Sequence, residues 1–428
     1  MKNARLFLFL FSVCLYSCEE SINTPLEIST NNELNVFEQE SQRRQKQAEA
    51  YGYYLQLLDE MQGSTRSTSS SEEYPEFYGG AYINEDGLLV IRMKDKESYT
   101  RVRNGLCTRM NQSVIFDPCK FSFNELNTTM QVLLSNITAN ESMRRNITML
   151  AIDVKHNKVA VCMRDTMCIQ AKLLEDFVAD SSILTYVKSE DVDSSPIGNE
   201  LETQSYNASE TLMYGGKLAA GYTWGSIKNV GTIGYRAIDR NGKKGFVTAA
   251  HVVLDSAGVL LSRIYDAKGS VPTTIGTCYN YAYHNQNMDA AFIQCYDDVT
   301  LTNYIPGFTC APSDTLSTEL IRPVTGMQLY MIGQVSGIKM GEVIYPSSIL
   351  VPHNTTDAST GQIVLRDAVV AKFYGTKGDS GALVFGEDAH MRYCAAGIYV
   401  GRGILNGETV STSVIASNVN ALLGVTRY

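Results

Sequence analysis

The sequence predicts an all-β domain of the sandwich or barrel type over residues 216–428, preceded by a small α/β domain over residues 74–188. Two observations carry this. From about residue 211 onward, short runs rich in Val, Ile, Tyr and Thr alternate with Gly, Asn, Asp and Pro, and only "SNVNALLGV" near the end reads as a helix. Upstream, two hairpin-like segments enclose an apolar pattern of helical period. At 428 residues the chain has the length for two or three cores.

Taken in order, "MKNARLFLFLFSVCLYSC" carries Lys2 and Arg5 and then an apolar run too short to span a bilayer, so it reads as a secretory signal over residues 1–18. Its end, Leu15-Tyr16-Ser17-Cys18, resembles the lipobox of bacterial lipoproteins. That resemblance makes Cys18 an acylated anchor that tethers the product to a membrane surface without a spanning helix. The alternative is ordinary cleavage nearby, with Cys18 left as a thiol. Residues 19–73 hold a helix over 34–61, with Ala48, Tyr51, Leu55, Leu58 and Met61 on one face, then the polar linker "QGSTRSTSSSEE".

Within 74–188, "YGGAYINEDGLLVIRM" and "MLAIDVKHNKVAVCM" each place a polar turn between two short apolar strands. Between them Leu126, Met130, Leu133, Leu134 and Ile137 fall at helical spacing, and "AKLLEDFV" follows as a second helix. Residues 189–215 lack apolar periodicity and read as an exposed linker, where processing is easiest.

Eight cysteines remain after the signal: Cys107, Cys119, Cys162, Cys168, Cys278, Cys295, Cys310 and Cys394. Outside the cytoplasm disulfides are expected. Four cysteines per half allow three pairings each, with Cys278 and Cys295, and Cys310 and Cys394, as candidates. No Cys or His grouping has zinc spacing, so no metal and no cofactor is expected. Residues 216–428 hold 16 Lys plus Arg against 15 Asp plus Glu, so the net charge of -9 belongs to the N-terminal half. Neither half has a basic patch interleaved with aromatics, which argues against a nucleic-acid partner. Seven Asn-x-Ser/Thr sites, Asn127, Asn136 and Asn146 among them, read as composition behind a bacterial signal.

The chemistry-bearing stretch is "GTKGDSGALVF", which sets Ser380 between glycines ahead of an apolar strand. A serine hydroxyl needs an imidazole to take its proton, and that imidazole needs a carboxylate to fix its tautomer. "GFVTAAHVV" ends a strand at His251 and "NMDAAFIQC" begins one at Asp289. His156, His284, His353 and His390 read as structural or solvated. His284, five residues before Asp289, is the one rival, and its polar loop suits a buried base poorly.

The order His251, Asp289, Ser380, with "TAAH", "DAAF" and "GDSGA", resembles the chymotrypsin-like serine proteases. The likeness is to the secreted bacterial branch, alpha-lytic protease and the streptogrisins: "KKGFVTAAH" and "QLYMIGQVSGIKMGEVI" resemble two of its strand pairs, and the upstream hairpins resemble repeats of its pro-regions. The resemblance implies two six-stranded antiparallel β-barrels, with His251 and Asp289 on the first and Ser380 on the second. It implies that Ser380 attacks the scissile carbonyl, His251 moves the proton and Asp289 orients His251, with the backbone N–H groups of Gly378 and Ser380 as the oxyanion hole. Residues 74–188 become a pro-region that assists folding and blocks the site until cleaved. Asp379 matches the position that binds the freed N-terminus in the animal enzymes and an internal partner in the bacterial ones.

Several positions depart from the pattern. Val252 follows the histidine where many relatives have cysteine, Tyr330 and Met340 stand at hairpin positions that are cysteines in alpha-lytic protease, and Ala382 replaces a frequent glycine. Val400 stands where relatives often have a serine bonded to the catalytic aspartate. The substrate pocket is expected around Tyr374, Gly375, Tyr399, Val400, Gly401 and Arg402. It has no aspartate of the trypsin kind, and Arg402 at the rim would suit an acidic side chain. The expected function is a secreted or surface-tethered serine endopeptidase made as a proenzyme, acting on protein or peptide substrates. The alternative is a catalytically inactive chymotrypsin-like binding protein on the cell surface.

Overall fold

The computed structural model describes residues 30–64, 74–94, 114–193, 211–212, 217–220, 228–255, 257–266, 273–283, 287–305, 315–351 and 365–428. The signal with Cys18, most of the linker, Cys107, Cys310, His284 and His353 lie outside them. The chain divides into two compact units, Met1–Gln42 and Arg43–Tyr428. Helix α1 (Thr30–Ser64) begins in the first and continues in the second. In the second unit it buries Ala48, Ala50, Tyr51, Leu57 and Met61. Leu55, expected among them, is exposed, because the spacing 50, 57, 61 keeps the helical period while residue 55 falls on the outer side.

Strands β1 (Tyr78–Ile83) and β2 (Leu89–Met93) form the first expected hairpin, and β3 (Val114–Pro118) pairs parallel to β2. The hairpin turn is fastened by Asn84, whose Oδ1 accepts from the amides of Asp86 and Leu88. Helix α2 (Phe123–Ala139) starts in a capping box: Ser122 Oγ accepts from Glu125 N, and the Glu125 carboxylate accepts from Ser122 N. It buries Leu126, Met130, Leu133, Leu134 and Ile137, the predicted set. After the short α3 (Glu141–Asn146) come β4 (Ile147–Asp153), β5 (Lys158–Met163), α4 (Ile169–Glu175) and β6 (Leu184–Asp193). The last runs parallel to β5 over Leu184–Lys188 and continues as strand to Asp193, so the expected linker begins as strand.

Residues beyond 211 form two antiparallel β units, the all-β architecture expected. The short strands β7 (Thr211–Leu212) and β15 (Thr300–Leu301) pair with each other. The first unit comprises β8 (Lys217–Ala220), β9 (Asn229–Thr232), β10 (Arg236–Asp239), β11 (Lys244–Thr248), β12 (Arg263–Asp266), β13 (Thr273–Ala282), β14 (Ala290–Cys295) and β22 (Val425–Arg427), in the order β22-β10-β11-β14-β13-β12-β8-β9. The unit has eight strands where six were expected, and β22 is one of the additions, set beside β10. The second unit comprises β16 (Gln328–Gly333), β17 (Gly337–Leu350), β18 (Leu365–Ala371), β19 (Leu383–Glu387), β20 (Tyr393–Leu405) and β21 (Glu408–Ile415). Pairing of β16 with both β17 and β19 closes these six into a barrel.

The α/β region is joined to this barrel by strand pairing. β4 pairs antiparallel to β17 (Ile349↔Leu150), and β6 pairs antiparallel to β20 (Leu405↔Ser189, Arg402↔Asp193). Strands β16 and β19 are buried on both faces: Tyr330, Ile332, Leu383 and Phe385 face the core shared with the first unit, while Leu329, Met331 and Val384 face a core shared with α1, β1 and β2.

The six described cysteines, Cys119, Cys162, Cys168, Cys278, Cys295 and Cys394, are free thiols, which corrects the expectation of disulfides among them. Register explains the first candidate pair. Cys278 lies opposite Ile293 and Cys295 opposite Gly276. They are therefore diagonal neighbours, about 7–8 Å apart in an antiparallel sheet, beyond a disulfide's reach. Cys394 is wholly buried in β20 as a thiol.

Candidate active site

Strand pairing brings two of the three predicted side chains together. β11 and β14 pair with Thr248 opposite Ala291, so the residues just past one strand's end meet those just before the other's start. His251, on the single-turn helix α5 (Ala250–Val253), and Asp289 therefore touch. His251 Nδ1 lies 2.6 Å from Asp289 Oδ2, and the His251 amide donates to Asp289 Oδ1 at 3.0 Å. Both are buried, with relative exposures of 4 % and 3 %. The second bond matters as much as the first, because it fixes the carboxylate's plane against the backbone that carries the ring. With Nδ1 committed to the carboxylate, Nε2 is the nitrogen left to exchange a proton; it is buried and has no hydrogen-bond partner.

Ser380 sits in the turn ahead of β19, with an exposure of 9 %. The turn depends on two glycines in left-handed backbone, Gly378 (φ 98°) and Gly381 (φ 87°). Gly381 serves a second purpose: a Cβ there would lie 2.0 Å from Thr248 Oγ1 and 2.8 Å from the Ala249 amide. The Ser380 turn is thereby pressed against the end of β11, immediately before His251. The Gly381 amide donates to Tyr399 O at 2.8 Å, which ties the turn to β20. The amides of Gly378 and Ser380 donate to no acceptor among the described residues.

Asp379 is fully buried and internally satisfied. Its Oδ1 accepts from the amides of Val335 (2.8 Å) and Ser336 (3.2 Å), and Oδ2 accepts from Thr376 N (2.8 Å) and Thr376 Oγ1 (3.3 Å). The partners are backbone and hydroxyl donors, not a cation. Gly333 makes room for it, since a Cβ there would meet Asp379 Oδ1 at 2.3 Å.

Two residues that sequence reasoning missed hold this arrangement. Thr232 joins the two β units: its amide donates to Ser380 O (2.8 Å), its Oγ1 donates to Gly378 O (2.8 Å) and accepts from Gln334 N (3.3 Å), and its own carbonyl accepts from Thr248 Oγ1 (2.9 Å). Asn229 is buried with its side-chain nitrogen facing the carbonyls of His251, Val252 and Leu254, which ends the His251 helix with satisfied acceptors. No motif marks either position.

Of the expected pocket residues, Tyr399 and Val400 are buried, Tyr374 is exposed with Lys339 Nζ 5.1 Å above its ring, and Gly375 abuts Tyr399, whose ring lies 2.7 Å from where a Cβ would be. Val400 packs in the core between the two β units. Arg402 is opposite Asp193 of β6. His156 is exposed and bonded to Asp153 (2.8 Å) in the β4–β5 turn, consistent with a solvated histidine.

Comparison with known proteins gives the same resemblance. Residues 37–118 match the family described as the Pro-like N-terminal domain, a span that takes in α1 as well as β1 to β3. No curated protein matches the chain. Among solved structures, a Nocardiopsis protease is 17 % identical over 51 % of this chain and 100 % of its own, with a TM-score of 0.37. Thermobifida fusca protease A is 15 % identical over 50 % of this chain and 97 % of its own (TM-score 0.34). A Cellulomonas bogoriensis chymotrypsin is 17 % identical over 51 % and 98 % (TM-score 0.33).

Proposed function

We propose that the chain is a serine endopeptidase made as a proenzyme, with His251, Asp289 and Ser380 as its catalytic triad. The observation that carries this is the buried His251–Asp289 pair, whose Nε2 is unpartnered while the Ser380 turn is packed against the strand end that precedes it. In this reading Ser380 Oγ attacks the substrate carbonyl and gives its proton to Nε2. Asp289 stabilises the imidazolium, and the amides of Gly378 and Ser380 receive the oxyanion. His251 then protonates the leaving amine, and water, deprotonated by the same Nε2, hydrolyses the acyl-enzyme.

The proenzyme reading is supported by the route of β6. This strand lies along β20 from Leu405 to Arg402 and leads toward Tyr399–Gly401, the stretch assigned to substrate. Residues 74–188 then act as a pro-region that occupies the barrel edge until the chain is cut between 189 and 215. Tyr374, Gly375, Tyr399, Val400, Gly401 and Arg402 line the pocket for protein or peptide substrates. Export by the signal and tethering through acylated Cys18 complete the proposal, and a cut in the linker breaks the protease's covalent link to the anchor, with release following once the two pieces separate.

The test is the intact mass, followed over time, of purified residues 19–428, wild type beside Ser380→Ala. The expected outcome is fragmentation of the wild type to sizes set by a cut in 189–215, with the variant whole. If both stay whole and neither reacts with a serine-directed fluorophosphonate, the inactive binding protein becomes the better reading.

A further inference from the structure

Outside the catalytic centre, one ion pair is built with unusual completeness. Glu387, at the end of β19, is only 3 % exposed, and its carboxylate takes both arms of the Arg44 guanidinium: Arg44 Nε donates to Oε2 at 3.1 Å and Nη2 donates to Oε1. The same Nη2 lies 3.1 Å from the Tyr393 hydroxyl, and the guanidinium carbon sits 5.9 Å from the Tyr393 ring centre. Tyr393 is itself fixed edge-on against Tyr330 and Phe385, which stack on each other at 5.3 Å. The barrel thus supplies a carboxylate, a hydroxyl and a held aromatic face, arranged around a planar fork. A lysine's point charge would use only part of this.

The fork comes from α1, and neighbouring residues on the same helix face register it. Arg43 Nη2 donates to Gln328 Oε1 (3.2 Å), Gln47 Oε1 accepts from the Gln328 amide (3.1 Å), and Tyr51 Oη accepts from the Arg322 amide (3.1 Å). Gly52 lets the helix backbone approach the 388–391 turn, since a Cβ there would be 3.3 Å from Ala389 Cβ. Positions 44, 47 and 51 share one face of a helix. None of these contacts serves the triad.

We propose that Glu387 and Tyr393 form a guanidinium-binding site on the second barrel, filled in the uncut chain by Arg44 and freed for an arginine side chain of a peptide or protein partner once the N-terminal region is removed. The existence of the site rests on the contacts alone; its release rests on the proenzyme reading above. Before release, Arg44 neutralises a carboxylate that would otherwise be buried without a partner, which is costly. After release, that carboxylate is an exposed recognition group at a distance from the triad set by the barrel.

The test uses the whole chain in a Ser380→Ala background, so that self-cutting cannot intervene. Ethylguanidinium at millimolar concentration is titrated into Arg44→Ala, into Arg44→Ala with Glu387→Gln, and into the Arg44-containing chain, with thermal melting as the readout and ethylammonium as the control. The expected result is a saturable rise in melting temperature for Arg44→Ala alone, larger with ethylguanidinium than with ethylammonium. Equal response in all three proteins, or none in a folded Arg44→Ala, overturns the site. If the alanine variant does not fold, Arg44→Met, which keeps the packed stem and removes the fork, is titrated instead and judged by the same criteria. Should wild type and Ser380→Ala both remain uncut, the proenzyme reading fails while this titration still decides the site.

Discussion

At the scale of single residues, the candidate site is held by groups outside His251, Asp289 and Ser380. Thr232 Oγ1 holds the Gly378 carbonyl, and so the orientation of the peptide units around the amides assigned to the oxyanion. Thr232→Val keeps the shape and loses that bond. The expected outcome is a kcat lowered about tenfold or more with KM nearly unchanged, measured on a peptide substrate, and recovery with Thr232→Ser. An unchanged kcat in Thr232→Val would assign the hydroxyl a packing role only. The contact between His251 and Asp289 was legible in the sequence because each sits in a short motif at a strand end, and Ser380 was legible as a residue of a glycine-flanked turn. Thr232 was not, because its bond to Gly378 spans 146 positions and threonine in a strand is unremarkable by itself. Asn229 was hidden for the same reason: its partners are carbonyls brought near by the fold.

At the scale of elements, local signals were dependable where the chain satisfies itself locally. The capping box at Ser122 and Glu125 marks the start of α2, and Ser122→Ala should cost about 1 kcal/mol of stability, read from urea denaturation. The two hairpins and α2 were legible from periodicity. The face of α1 was only partly legible, since Leu55 and Leu57 are equally apolar and the choice between them is made by the barrel the helix packs on. The fate of the cysteines was not legible, because pairing depends on register. Burial pushes the Cys278 and Cys295 thiols up to about 12 and those of Cys119 and Cys394 up to about 11. Thiolate is the reactive form, so these four should label slowly with iodoacetamide at pH 8 in the folded protein and fast in urea. Rapid labelling of Cys278 or Cys295 without denaturant would contradict their burial.

At the scale of the whole molecule, the α/β region and the second barrel share one nine-stranded sheet and share apolar cores. A cut between 194 and 210 therefore leaves both pieces held together by strand pairing and burial. The cut chain should elute as one species in gel filtration under native conditions and as two in urea; separation without denaturant would mean that the shared sheet contributes little. This continuity was the least legible feature, since the sequence marks each hairpin but not which barrel edge it joins. The pairing of β22 with β10 has its own consequence. Arg236 bonds the Tyr428 carbonyl across 192 positions, so the first β unit cannot be completed until residues 425–428 have emerged. During synthesis β10 waits, with one edge unpaired, for the residues that form β22. Completion of the first β unit is thus timed by the arrival of β22, a pairing of long sequence separation that cannot form early.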